Sequence, residues 1–264
     1  LQNGRLEPWD FGHPGWMYEK YSAHVVSPFK DHLTCEVIAW TPGTKGVVRA
    51  QAVQIIPPDR PTQDALTAYL NGIRDTVKGK IVLVGAHQPV PITFYPPNKR
   101  LEDSAVRAQF DPNNPAAPAG PPRAPQPPQP KEGPRPLDAR QVDEQVDAFL
   151  LASGALVRVN NADRDHGQVR VFGNRTYEPE KVIPGIVVRS EDFGRIVRVL
   201  ADGTPVEMEI EIVNAIFPEG RTSYNAVAEI PGTDKKDEVV MLGGHIDCWH
   251  GATGAADNAT GVAS

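Results

Sequence analysis

Met241-Leu-Gly-Gly-His245-Ile-Asp247-Cys-Trp-His-Gly-Ala-Thr-Gly-Ala-Ala-Asp257-Asn-Ala-Thr-Gly261 is the stretch on which the reading of this chain turns. It continues the apolar run Val239-Val-Met-Leu, a pattern that predicts a buried strand ending at Gly243-Gly244 and releasing a histidine and a carboxylate where the strand meets the surface. In α/β sheets that carboxyl edge is where ligands bind. Residues two apart in an extended chain point the same way, so His245 and Asp247 share a side, and the carboxylate is near enough to orient the imidazole. The glycines that follow let the loop approach an ion closely, and Asp257 stands where a helix can begin. Imidazole nitrogen and carboxylate oxygen are both zinc ligands, and a carboxylate can bridge two ions. Two plainer readings stay open: a hydrogen-bonded surface histidine at a strand end, and Asp257 as a helix N-cap.

Outward from this stretch, Ser223-Tyr-Asn-Ala-Val-Ala-Glu-Ile is predicted as a strand that leads, through the loop Pro231-Gly-Thr-Asp-Lys-Lys-Asp, into it. Before that, Pro205-Val-Glu-Met-Glu-Ile-Glu-Ile-Val alternates strictly, which predicts a strand wet on one face. Its Glu207, Glu209 and Glu211 are expected on a solvated edge rather than around a cation. Gly185-Ile-Val-Val predicts a short apolar strand, followed by a helix capped by Ser190, carrying Phe193, Ile196, Val197 and Leu200, and ended by Gly203. Two earlier helix-then-strand steps follow the same logic. One has Thr62 as cap, Leu66 and Leu70 on one face and the strand Lys80-Ile-Val-Leu-Val. The other has Val142, Val146, Phe149 and Leu150 on one face, Gly154 at the end and the strand Ala155-Leu-Val-Arg-Val.

Gly46 to Ile56 alternates as a strand entering a new unit would, so a domain boundary is expected near residue 45. Residues 1–40 are aromatic-rich but broken by Pro8, Pro14 and Pro28, and are expected to be an irregular wrapping segment. Between Asp111 and Pro136, 11 of 26 residues are proline. Such a composition removes backbone donors and predicts a solvated loop rather than packed core.

Composition narrows the function classes. The 264 residues are 40% hydrophobic and 23% charged, ordinary for a globular chain, and no apolar run is long enough to span a bilayer. A net charge of -6 with scattered Lys and Arg excludes the basic stripe that a nucleic-acid partner requires. The two cysteines, Cys35 and Cys248, are expected to be free, mostly buried thiols, with a disulfide as the alternative.

The string from Met241 to Ala263, with its lead-in Tyr224-Asn225-Ala-Val-Ala-Glu229-Ile-Pro-Gly, resembles the metal-binding signature of the M28 zinc peptidases. Residues 46–215 resemble, by pattern and position, the protease-associated (PA) domain that some members carry as an insertion. The resemblance implies an α/β fold in which the start of a zinc-exopeptidase sheet domain is interrupted by a PA-like α+β domain. The expected division is 1–45 as the N-terminal segment of the peptidase domain, 46–215 as the inserted domain, and 216–264 as the beginning of the catalytic domain, truncated.

Carried over position by position, the resemblance makes His245 a ligand of one zinc, Asp257 the carboxylate shared by two zinc ions, and Asp247 the residue that orients His245. It also implies a glutamate general base and further Asp and His ligands beyond Ser264, so the 264-residue chain is expected to be inactive. Cys248 stands where similar proteins generally have serine, and is expected to pack rather than bind metal; His250 is expected to be a non-ligand loop residue. The implied substrate is a peptide, the implied location secreted or periplasmic, and a homodimer is left open. Two other readings compete: a non-catalytic PA-domain binding protein, and a zinc transferase related to glutaminyl cyclase.

Overall fold

The structure, a computed structural model, describes residues 1–87, 101–111, 113, 134–174 and 176–263. In chain order the strands are β1 (Gln2–Asp10), β2 (Gly15–Ser27), β3 (Asp31–His32), β4 (Cys35–Val37), β5 (Val48–Ile55), β6 (Ile81–Val84), β7 (Val157–Asn161), β8 (Gly185–Val188), β9 (Glu207–Phe217) and β10 (Thr222–Glu229). The helices are α1 (Gln63–Gly72), α2 (Arg74–Val77), α3 (Asp103–Phe110), α4 (Ala139–Ala152), α5 (Ser190–Ala201) and α6 (Thr260–Ala263). The chain divides into two compact units, Leu1–Pro89 with Leu137–Ser264, and Val90–Pro136. In the second, α3 is the described element. The proline-rich loop expected over 111–136 lies outside the described residues, apart from Asp111, Asn113 and residues 134–136.

Eight strands of the larger unit form one mixed sheet in the order β3-β2-β9-β5-β6-β7-β8-β4. The inner run β5-β6-β7-β8 is parallel, and its flanks pair antiparallel. Parallel neighbours need crossovers, and the first two carry helices: α1 and α2 between β5 and β6, α4 between β6 and β7. A parallel strand covered on both faces must be apolar throughout, and β6 shows why: Ile81 and Leu83 pack with Phe193 and Ile196 of α5, while Val82 packs with Leu66 and Leu70 of α1 and Phe149 and Leu150 of α4. Burying each such side chain contributes about 1.5–3 kcal/mol before chain entropy is set against it. The helix signals act as expected. Thr62 Oγ1 accepts from Ala65 N at 3.3 Å, Asp138 and Gln141 form a reciprocal capping box, and Gly154 takes the left-handed φ of 72° that follows α4.

Inside the sheet, Arg158 of β7 is buried and neutralised from α4. Its Nη1 donates to Asp147 Oδ1 at 2.5 Å, Nη2 pairs with Asp143, and Nε donates to Asn160 Oδ1 at 2.9 Å.

Several expectations change. Residues 1–40 are not irregular: Trp16, Tyr18, Tyr21 and Val25 belong to the thirteen-residue β2, and Pro14 and Pro28 fall just outside its two ends. Pro8 lies inside β1, which pairs on one side only, with β10, and so tolerates a residue without an N–H. The glutamates of β9 are not on an edge. That strand lies between β2 and β5, where Glu211 meets Lys20 at 2.5 Å and Glu207 meets Arg49 at 2.7 Å. Ser190 is the first residue of α5 rather than its cap, and its hydroxyl donates to Asn161 Oδ1 at 3.0 Å. Residue 45, near which a domain boundary is expected, lies in the connection between β4 and β5. Both cysteines are free, but only Cys35 is mostly covered; Cys248 is exposed. No described helix is long and apolar enough to cross a membrane.

Candidate metal centre

The ribbon of β1 and β10 leads into residues 231–238 and then into the apolar run Val239–Leu242. Contrary to the pattern, that run forms no strand; its four side chains are 83–93% exposed. No strand lies beside it among the described residues, and an extended chain without a ladder partner is not a strand.

Past Gly244 the predicted site residues do come together. His245 Nε2 lies 2.9 Å from Asp257 Oδ1, and Nδ1 lies 3.1 Å from both the carbonyl oxygen and Oδ1 of Asp247. Asp257 is therefore not a helix cap. It sits three residues ahead of α6 in a turn where it and Asn258 leave helical geometry (φ, ψ of −125°, 89° and −138°, 35°), after Gly254 has turned the chain with φ 68°. The imidazole is held above its ordinary pKa, first by the Asp247 carbonyl to which Nδ1–H donates and then by the negative charge of Asp257 and Asp247.

The contacts of the ring set its tautomer. With Nδ1 facing a carbonyl, that nitrogen carries the hydrogen, so a neutral His245 turns the Nε2 lone pair toward a carboxylate oxygen. Two acceptors 2.9 Å apart repel unless something positive lies between them, either a proton or a metal ion. Two ligands of one zinc, each at about 2.0–2.2 Å, stand about 3 to 3.5 Å apart, so at 2.9 Å the pair is at hydrogen-bonding distance and would open by a few tenths of an ångström to serve as the first two ligands of such an ion. Asp247 occupies the outer position that fixes ring and tautomer in many metal sites. Among the described residues no group of three His, Cys, Asp or Glu side chains is placed to hold a metal.

The remaining polar residues of the stretch turn elsewhere. Cys248 Sγ donates to Ala252 O at 3.3 Å. His250 Nε2 meets Val37 O at 2.8 Å, on the sheet, with Trp16 and Tyr18 ring-to-ring at 5.2 and 6.0 Å. That contact joins residues 213 apart. No periodicity or spacing in the sequence announces it.

Comparison with known proteins covers this stretch of the chain. Residues 225–264 match the model of peptidase family M28, so the resemblance drawn from the motif is borne out where the motif lies. Over 80 residues the chain is 33% identical to carboxypeptidase Q of Mus musculus and 32% identical to that of Xenopus laevis. Each alignment covers 30% of this chain and 17% of the relative. The fold is shared more widely. The M28 peptidase precursor from Shewanella amazonensis SB2B superposes with a TM-score of 0.59 at 19% identity, over 99% of this chain and 48% of that one. An aminopeptidase from Aneurinibacillus sp. strain AM-1 gives 0.52 at 15%, over 98% and 47%. The chain thus spans about half the length of these solved structures.

Proposed function

We propose that the protein is a zinc-dependent exopeptidase in which His245 and Asp257 hold the metal and Asp247 orients His245. The observation that carries this reading is the convergence of His245 Nε2 and Asp257 Oδ1 at 2.9 Å, two zinc-ligating atoms that a proton holds together without metal and that a zinc ion would share in its place. The chemistry supplied by zinc there is Lewis-acid activation of water and of a peptide carbonyl.

The residues of this chain do the rest of what it can do. Asp247 takes the Nδ1 hydrogen and so keeps Nε2 free as a donor of its lone pair. Asp257, 87% exposed at its side chain, has room for its second oxygen to reach a second ion. On the same reading residues 46–215 correspond to a PA-like insertion, the substrate is a peptide cut at a terminal bond, and the protein is secreted or periplasmic. Carboxypeptidase and aminopeptidase names both occur among the similar proteins, and the end of the peptide that is cut stays open between them.

Two protein ligands hold zinc loosely, so the 264-residue polypeptide itself should bind the ion weakly and release no amino acids from peptides. Titration of zinc against a chromophoric chelator tests the site. His245→Ala and Asp257→Ala should each abolish the uptake shown by the wild type, and uptake unchanged in both variants would remove the reading.

A further inference from the structure

The loop between His245 and Asp257 has to return one side chain to the other across glycines at 251 and 254, and most of it lies in solvent. Its internal hydrogen bonds are few. Ala252 N donates to Trp249 O at 2.8 Å, Ala259 N to Gly254 O at 2.9 Å, and the Cys248 thiol to Ala252 O. None of these ties the loop to the rest of the molecule. His250 does, and it is half-buried where both of its neighbours are exposed.

The sheet offers it a prepared seat. β4 is the last strand of the eight, so its outer backbone groups have no ladder partner, and the carbonyl of Val37 takes the His250 Nε2–H at 2.8 Å. Trp16 and Tyr18 stand two apart on one face of β2, and both present rings edge to face toward the imidazole, with interplanar angles of 83° and 68°. Trp16 is itself fixed by donation from Nε1 to Thr41 O at 3.0 Å. Beside the histidine, a Cβ on residue 251 would come within 3.0 Å of Glu36 Oε2. Glu36 is held by the Tyr21 hydroxyl and the Val37 amide, each at 3.0 Å. Glycine at 251 is what lets the loop lie this close.

We propose that His250 is a positioning residue of the metal centre: by docking on β2 and β4 it fixes the middle of the loop and so sets the approach of Asp257 to His245. The inference rests on the metal reading of those two residues. Pinning the loop at 250 leaves two short spans to close, five residues back to His245 and seven on to Asp257, in place of one long one. A single neutral hydrogen bond changes an equilibrium by roughly three- to tenfold, and that is the size of effect expected on zinc affinity.

The test uses the whole 264-residue chain with two substitutions. His250→Phe keeps a ring between Trp16 and Tyr18 but has no donor, and His250→Gln keeps a donor with less packing. Amide hydrogen exchange over residues 245–257, zinc affinity by chelator competition and the midpoint of thermal unfolding are measured for each. The Phe variant should exchange faster across the loop and bind zinc roughly three- to tenfold more weakly at an unchanged unfolding midpoint, with Gln recovering part of both. Exchange in the Phe variant equal to wild type, or zinc affinity that falls only in step with the unfolding midpoint, would overturn the proposal. A wild-type chain that takes up no zinc would refute the metal reading instead, and the exchange data would still decide whether His250 holds the loop.

Discussion

Ile81-Val-Leu-Val84 and Val239-Val-Met-Leu242 are both wholly apolar four-residue runs, yet they end in opposite environments. The first is β6, with Ile81, Val82 and Leu83 at 0% exposure, paired to β5 on one side and β7 on the other. The second is 83–93% exposed and unpaired. Both are apolar throughout; what differs is the presence of neighbours. A strand exists only with its ladder, so an apolar run records a tendency to be covered and does not say by what. The same contrast separates the two regions as wholes, the sheeted body from β2 to β9 and the stretch beyond β10 that carries His245.

The sharpest way to break that comparison is through carboxylates. Asp147 and Asp257 each lie against a nitrogen partner, but the first is buried against the Arg158 guanidinium and the second stands in solvent against the His245 imidazole. Removing one member of a buried pair strands the other charge away from water. Asp147→Ala should therefore cost about 3 kcal/mol, the low end of the usual range because Asp143 remains beside the guanidinium. Asp257→Ala should leave the denaturant midpoint where it is while abolishing zinc uptake. A large loss of stability in the second variant would show that the site region is part of the cooperative body.

Paired leucines sharpen the same point. Leu83→Ala removes a side chain packed on all sides and should cost about 2–5 kcal/mol in urea denaturation. Leu242→Ala removes one that touches little and should stay within about 0.5 kcal/mol of wild type. If both cost the same, Val239–Leu242 is covered in solution and the contrast between the regions fails.

The sequence discloses those features whose cause is local. Thr62 marks a helix start through its side-chain oxygen, Gly154 and Gly203 mark helix ends through their left-handed backbone, and the apolar faces of α1, α4 and α5 follow from spacing alone. His245, Asp247 and Asp257 are legible because a short motif holds all three, and the structure brings both carboxylates within 3.1 Å of the His245 ring nitrogens. What stays hidden is whatever depends on distant partners. Strand β2 looked like broken coil until β9 lay against it from Gly15↔Phe217 to Ser27↔Glu207. The glutamates of β9 looked like an edge because alternation reports which faces are wet, not which strands flank them. The contact from His250 to Val37 falls in the same class, since nothing in either neighbourhood encodes the other.

Each region also holds one cysteine, which gives a readout that perturbs neither. Cys35 lies on β4, packed against the main core and largely out of water. Burial disfavours the thiolate and, aided by the negative charges of Glu36 and Asp192, pushes its pKa up to about 12. Only the thiolate is nucleophilic, so at pH 8 this residue should stay inert toward a disulfide reagent as long as the body is folded. Raising the pH to 9 should not change that, because the folded thiol is still far below its pKa. Cys248 is exposed in the site loop, and should be labelled completely before Cys35 begins to react. Native protein should therefore take up one equivalent quickly, and the second only as urea unfolds the sheet, with a midpoint that Leu83→Ala lowers and Leu242→Ala does not. Two fast equivalents in the native state would mean that β4 opens readily, and the body could then no longer serve as the rigid platform on which the loop is seated.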